Sequence, residues 1–179
     1  MLAAQRINMI SRRCFASYNY SAASNSKVFL GVSKDGQEAR KLVFEFYDNN
    51  SPALAFNFTT LACGPLVGTS IHPSIPYHAK PGYVVQGGLA EADGERLADE
   101  NLELRHHKRG MLSLVNDGPH SNGSNFLVTF GEAHYLDGYQ SVVGEMVQGD
   151  DVLAKIEADS SRTGALGSEW TISSAGEQH

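Results

Sequence analysis

Histidine is the side chain best suited to moving protons or binding a metal near neutral pH. This chain places four of its seven histidines in two short stretches, His72 with His78 and His106 with His107. A metal would need several of them on one side of the backbone. Successive residues on a strand point to opposite faces, so His106 and His107 make a poor bidentate pair and read as solvated surface imidazoles; no metal is expected. Ser113 and Ser124 are the candidate nucleophiles, but their sequence context supplies neither the base nor the orienting acid that activates a hydroxyl. Gln86-Gly87-Gly88 is no phosphate cradle, because no GxxxxGK[ST] follows it. Asp150-Asp151 stand where a helix should begin, and the positive end of a helix dipole explains them without acid–base work. Cys14 and Cys63 form neither a disulfide framework nor a CxxC pair, and no cofactor is implied.

The bulk numbers agree with a single soluble domain. The chain has 179 residues, 41% apolar and 19% charged, enough for one core, and no apolar run reaches the roughly 18 residues that span a bilayer. A net charge of -6 gives no expectation of direct nucleic-acid binding. The charge is uneven. Residues 1–26 carry Arg6, Arg12 and Arg13 and no acid, whereas the other 11 Lys and Arg face all 20 Asp and Glu. On a helical wheel Ala3, Ile7, Ile10 and Cys14 share one face and the arginines lie opposite. That is the pattern of a mitochondrial transit peptide, and Arg13-Cys14-Phe15-Ala16 resembles a mitochondrial processing site. Two alternatives stand beside it: a retained arm whose Arg6, Arg12 and Arg13 dock on a partner, and a disordered basic tail. Residues 27–179 form the domain, and the expected location is mitochondrial, on the matrix side.

Within 27–179 the pattern is one of short strands. Lys27–Val32 and Leu42–Tyr47 flank Lys34-Asp35-Gly36-Gln37, and Asp-Gly between apolar runs signals a hairpin. Leu42, Phe44 and Phe46 share one face. Ser51-Pro52 opens a helix, with Ser51 as cap and Pro52 where a missing N–H costs nothing. Leu54, Phe58, Leu61 and Ala62 make its buried stripe, and Gly64-Pro65 stops it. Further strands are expected around Ile71 and at Tyr83–Gln86, Met111–Asn116, Phe126–Phe130, Val142–Val147 and Trp170–Ser174. A second helix is expected at Asp150–Ala158 with Val152, Leu153 and Ile156 inward. Many short strands with two helices predict an all-β closed antiparallel barrel, which leaves no exposed edge.

Motifs in order along the chain resemble the cyclophilins, the family of peptidyl-prolyl cis-trans isomerases. Pro81-Gly82-Tyr83-Val84-Val85-Gln86-Gly87-Gly88 resembles the family's PGF-x-x-QGG, and Asp99-Glu100-Asn101 its DEN. Gly110–Phe126 follows G-x-L-S-M-A-N-x-G-P-x-x-N-G-S-Q-F, and Leu136-Asp137-Gly138 and Val142-Val143-Gly144 follow W-L-D-G and V-V-F-G. The resemblance implies an eight-stranded barrel capped by two α-helices. It also implies binding of Xaa-Pro segments in an apolar pocket, with an arginine after a histidine on one strand polarising the prolyl amide.

That arginine is missing. In Gly68-Thr69-Ser70-Ile71-His72-Pro73-Ser74-Ile75-Pro76 its position is Pro73, with Tyr77–Pro81 then inserted. Anchoring instead on Pro81-Gly82 puts His78 there. The positions matching the proline pocket are His72, Tyr83, Val84, Gln86, Val115, Asn116, Asn125, Leu127, Tyr135, Leu136 and Gln140. Tyr83 and Val84 replace an aromatic and a methionine. Leu127 stands for phenylalanine, Tyr135 for tryptophan, Gln140 for histidine, Val115 for alanine and Asn125 for glutamine. The loop between Gly88 and Asp99 is short and lacks the family's glycine-rich stretch. The expectation is a barrel with lost or strongly reduced isomerase activity, serving as an accessory subunit of a large mitochondrial assembly. The alternatives are an active mitochondrial isomerase assisting protein folding and a non-catalytic binder of proline peptides.

Overall fold

The computed structural model describes residues 25–64, 66–74, 84–88, 96–160 and 166–178, with backbone alone over 70–74 and 84–85. Eight strands close into an antiparallel barrel: β1 (Lys27–Lys34), β2 (Arg40–Phe46), β3 (Ser70–Ser74), β4 (Val84–Gly87), β5 (Met111–Leu114), β6 (Phe126–Thr129), β7 (Val142–Gln148) and β8 (Trp170–Glu177). Around the barrel the order is β1-β2-β7-β5-β6-β4-β3-β8. Residues 1–24, with Arg6, Arg12, Arg13 and Cys14, the stretch 75–83 with His78 and Tyr83, and residues 89–95 lie outside the described residues.

The β1–β2 hairpin forms where Asp35-Gly36 predicts it. Both residues have positive φ, 50° and 72°, as a turn matching the strands' right-handed twist requires. The Gln37 N–H closes it on the Lys34 carbonyl at 2.9 Å. Val28, Leu30, Val32, Leu42, Phe44 and Phe46 from this hairpin all enter one central core.

Helix α1 (Pro52–Ala62) packs against β1, β7 and β8, and α2 (Asp150–Asp159) against β2. Leu54, Ala55, Phe58 and Ala62 from α1 and Val152, Leu153 and Ile156 from α2 join the core. Phe58 sits edge-on to Phe126 with ring centroids 5.2 Å apart. Leu61 is only partly buried against this core. In α2, Asp150 and Asp151 occupy the first turn as expected from the dipole.

The cap of α1 is not the one expected. Ser51 makes no side-chain capping bond, and its buried hydroxyl has no hydrogen-bond partner among the described residues. Glu100 takes over: its two carboxylate oxygens accept from the Ala53 N–H at 3.1 Å and the Leu54 N–H at 2.8 Å. An anionic acceptor at the positive end of the helix satisfies two otherwise orphaned donors, more than one serine hydroxyl could. The partner comes from 46 residues away, so local spacing could not show it.

Candidate functional site

Alternation along β6 separates two apolar groups. Phe126 and Val128 point into the central core, while Leu127 joins Ala133, Leu136 and the half-buried Val115 in a second, smaller cluster. Residues directly opposite across antiparallel strands share a face. Gln86 pairs with Leu127 and Leu127 with Ser113, and His72 pairs with Gln86. One row therefore runs His72, Gln86, Leu127, Ser113 over β3, β4, β6 and β5. The next row runs Pro73, Val85, Val128, Leu112, and Val128 and Leu112 are core residues. His72, not Pro73, is thus in line with Gln86 and Leu127.

Of the sequence-predicted positions, Val115, Leu127 and Leu136 come together in this cluster. Asn116 and Gln140 close one side. The Asn116 N–H donates to Gln140 Oε1 at 3.1 Å, Gln140 Nε2 donates to Asn116 Oδ1 at 3.4 Å, and Asn116 Nδ2 donates to the Tyr139 carbonyl at 2.8 Å. Asn125 is half-buried, and its carbonyl accepts from the Val115 N–H at 2.8 Å. Tyr135 is 40% exposed at the rim. Val84 opposes Thr129 on β6. Gly87 and Gly88 have steric reasons to be glycine: a Cβ on Gly87 would meet the Phe126 ring at 2.6 Å, and one on Gly88, whose φ is 130°, would meet the Ser124 carbonyl oxygen at 2.6 Å.

Behind the wall lies an arrangement contrary to the sequence expectation. His106 is not a solvated surface residue; it is 0% exposed, as is Ser113. His106 Nδ1 lies 2.9 Å from Asp137 Oδ1, and Nε2 lies 2.7 Å from Ser113 Oγ. A carboxylate only accepts, so Nδ1 carries the proton, Nε2 accepts, and the Ser113 hydroxyl donates. Burial pushes the His106 pKa down, outweighing the pull of Asp137, so the imidazole is neutral. Asp137 is itself partly desolvated, yet its carboxyl stays below the usual range because the His106 backbone N–H and ring, and His134, all hold it.

Ser113 therefore does have a His–Asp context. No substrate can reach it, however, because serine and histidine are both sealed in. The relay ties the turn carrying Leu136 to β5, whose Ser113 faces Leu127, so its chemistry is positional. Sequence reasoning misses it because His106 and Asp137 stand 31 positions apart, and because His106 precedes β5 instead of lying on a strand. Ser124, the other candidate, has a buried hydroxyl with no partner among the described residues.

The Asp99-Glu100-Asn101 motif is likewise structural. Asp99 Oδ1 accepts from Asn122 Nδ2 at 2.7 Å, and Oδ2 accepts from the His120 N–H at 2.9 Å. Although partly desolvated, Asp99 is held below the usual carboxylate range by these bonds. Asn101 Oδ1 accepts from the Glu103 and Leu104 N–H groups. Several guanidinium groups are engaged elsewhere: Arg40 with Asp151, Arg96 with Asp117, and Arg109 with Asp150 and Glu157.

This barrel, with its second apolar cluster beside Gln86 and Asn116, agrees with comparison to known proteins. Residues 31–177 match the model of the cyclophilin type peptidyl-prolyl cis-trans isomerase/CLD family. A peptidyl-prolyl cis-trans isomerase of Encephalitozoon cuniculi (strain GB-M1) is 35% identical over 158 residues, covering 83% of this chain and 91% of that relative. The chain belongs to the cyclophilin family.

Proposed function

We propose that this cyclophilin-family protein has strongly reduced prolyl isomerase activity and serves as an accessory subunit of a large mitochondrial assembly, such as a respiratory complex or the mitochondrial ribosome. The observation that carries the reading is β3 itself. The strand paired with the Gln86 strand reads Ser70-Ile71-His72-Pro73-Ser74 and holds no guanidinium. Rotation about an Xaa-Pro bond meets a barrier of about 18–20 kcal/mol. A cation that steadies the half-rotated amide acts through preorganised electrostatics, and losing one such donor costs roughly 2.7–4 kcal/mol, or about 10²–10³ in rate. Proline at position 73 offers neither charge nor N–H, and His78, the other candidate for the arginine position, would supply an imidazole, a weaker electrostatic partner than a guanidinium. The mitochondrial location rests on the acid-free, arginine-bearing segment 1–26.

The direct test is a prolyl isomerisation assay on the full chain beside an ordinary cyclophilin. A rate at least about a hundredfold lower is expected, and a rate within tenfold refutes the reading. Native separation of mitochondrial extract tests the other half: the chain should migrate with a large complex, and migration only as a free monomer rules the subunit role out. A second reading, a protein that still binds proline segments, is favoured by the apolar cluster of Leu127, Leu136 and Val115 beside Gln86 and Asn116. Titration with Xaa-Pro peptides, monitored by NMR, should then shift Leu127 and Val115 saturably.

A further inference from the structure

The geometry points to His120 as a proton-operated latch between the 117–121 loop and Asp99. While its ring is neutral it closes a reciprocal pair of hydrogen bonds with Asp99, and taking up a proton breaks one of the two. The latch is independent of both functional readings above.

One bond fixes the tautomer. The Asp99 backbone N–H donates to His120 Nδ1 at 3.1 Å. An amide N–H only donates, so Nδ1 is the unprotonated nitrogen and the ring's proton sits on Nε2. In return the His120 N–H donates to Asp99 Oδ2 at 2.9 Å. A second proton has to enter the ring at Nδ1, where it faces another donor. Asp99 Oδ2 lies 3.6 Å from Nδ1, beyond hydrogen-bond length. The imidazolium reaches that carboxylate only by swinging away from the Asp99 N–H. The latch thus has two positions, ring on the amide and ring on the carboxylate.

The loop is built to feel the exchange. His120 holds φ 58°, a left-handed conformation that a residue with a Cβ keeps only where its surroundings impose it. The two bonds to Asp99 are part of that constraint. Within the loop the Ser121 hydroxyl donates to the Gly118 carbonyl at 2.6 Å and accepts from the Asp117 N–H at 3.0 Å, which makes the loop a compact unit. Asp99 is fixed from the other side, its Oδ1 accepting from Asn122 Nδ2 at 2.7 Å and from the Ser141 hydroxyl at 3.4 Å. Asp99 therefore stays and the loop gives way. The loop follows directly on Asn116, so the latch sets how rigidly that edge of the site is held.

Among the described residues the other charges on these two segments are already engaged. Arg96 pairs with Asp117 at 3.6 Å and donates to the Ser121 carbonyl at 3.3 Å, and Glu100 is turned to the start of α1. Asn122 and Ser141 do not titrate. The Asp99 carboxyl is held below its usual range, so it stays ionised where imidazoles change charge.

The test is an NMR titration of the full chain and of His120→Asn from about pH 8 to about pH 5, the range in which imidazoles change charge. Asparagine tolerates positive φ and does not titrate. In the wild type the neutral His120 ring is expected to carry its proton on Nε2. As the ring takes up a second proton, the Asp99 amide proton should move upfield on the same curve. Its protection, corrected for the intrinsic pH dependence of exchange, should fall about 2- to 12-fold, the loss of one neutral hydrogen bond. In His120→Asn the Asp99 amide should stay level. A neutral ring protonated on Nδ1, an Asp99 amide that stays level while the wild-type ring titrates, or an equal shift in His120→Asn overturns the latch.

Discussion

Ser113→Ala should destabilise the protein although it removes only one oxygen atom from a fully buried residue. The hydroxyl donates to His106 Nε2 at 2.7 Å in a fully buried site. Alanine leaves that nitrogen as a buried acceptor with no donor, and such an orphan costs about 1–3 kcal/mol. For a chain of about 150–250 residues each kcal/mol lowers Tm by about 2–4 °C, so a fall of about 2–12 °C is expected near neutral pH. The same site has a pH signature. His106 has its pKa lowered from 6.5 by burial, so below about pH 6.5 the unfolded chain takes up a proton that the folded chain resists. Stability therefore declines as pH drops from about 6.5 toward the folded value. Asp99 and Asp137, held below 3.8 in the folded chain, stabilise above that value and lose their contribution only in a separate, more acidic window. Denaturant unfolding of wild type, Ser113→Ala and His106→Asn from about pH 7.5 down to about pH 5 separates the effects, because asparagine keeps a donor for Asp137 but does not titrate. If Ser113→Ala lies within about 0.5 kcal/mol of wild type, or His106→Asn keeps the full wild-type slope in the acid limb, the buried relay is not what holds this wall together.

Glu100→Ala should cost about 1–2 kcal/mol, because the Ala53 and Leu54 N–H groups lose a charged cap; Glu100→Gln should recover part of it in thermal unfolding. Gly88→Ala should cost about 2–5 kcal/mol, since alanine resists φ 130° and its Cβ runs into the Ser124 carbonyl; unfolding midpoints check it, and an unchanged midpoint contradicts this steric account of the turn. Pro73→Arg should not restore isomerisation to the level of an ordinary cyclophilin, because position 73 falls in the row of the core residues Val128 and Leu112 and the pocket walls also differ; full recovery in the isomerisation assay refutes this.

Elements whose cause is local can be read from residue order. Asp35-Gly36 makes its hairpin, Pro52 opens α1, Asp150-Asp151 open α2, and period-two alternation puts Leu42, Phe44 and Phe46 inside. Strand edges shift by a residue or more, as when β5 ends at Leu114 and β8 runs on to Glu177, because a strand stops where its partner stops. The apolar cluster of Val115, Leu127 and Leu136 is legible because two motifs, Gly110–Phe126 and Leu136-Asp137-Gly138, carry or adjoin its members.

What only the closed barrel decides is which distant groups meet. His106, Ser113 and Asp137 carry no spacing signal, and only the closed fold brings Asp137 and Ser113 to the two ring nitrogens of His106 and buries that imidazole, which its sequence neighbours would leave in solvent. Glu100 becomes a helix cap only when its loop crosses the start of α1. Pairing register likewise sets His72 beside Gln86, since a one-residue slip in β3 would exchange the faces of His72 and Pro73. Local propensity depends on a few neighbouring residues, whereas hydrogen-bond satisfaction in a buried site depends on the whole chain having closed around it.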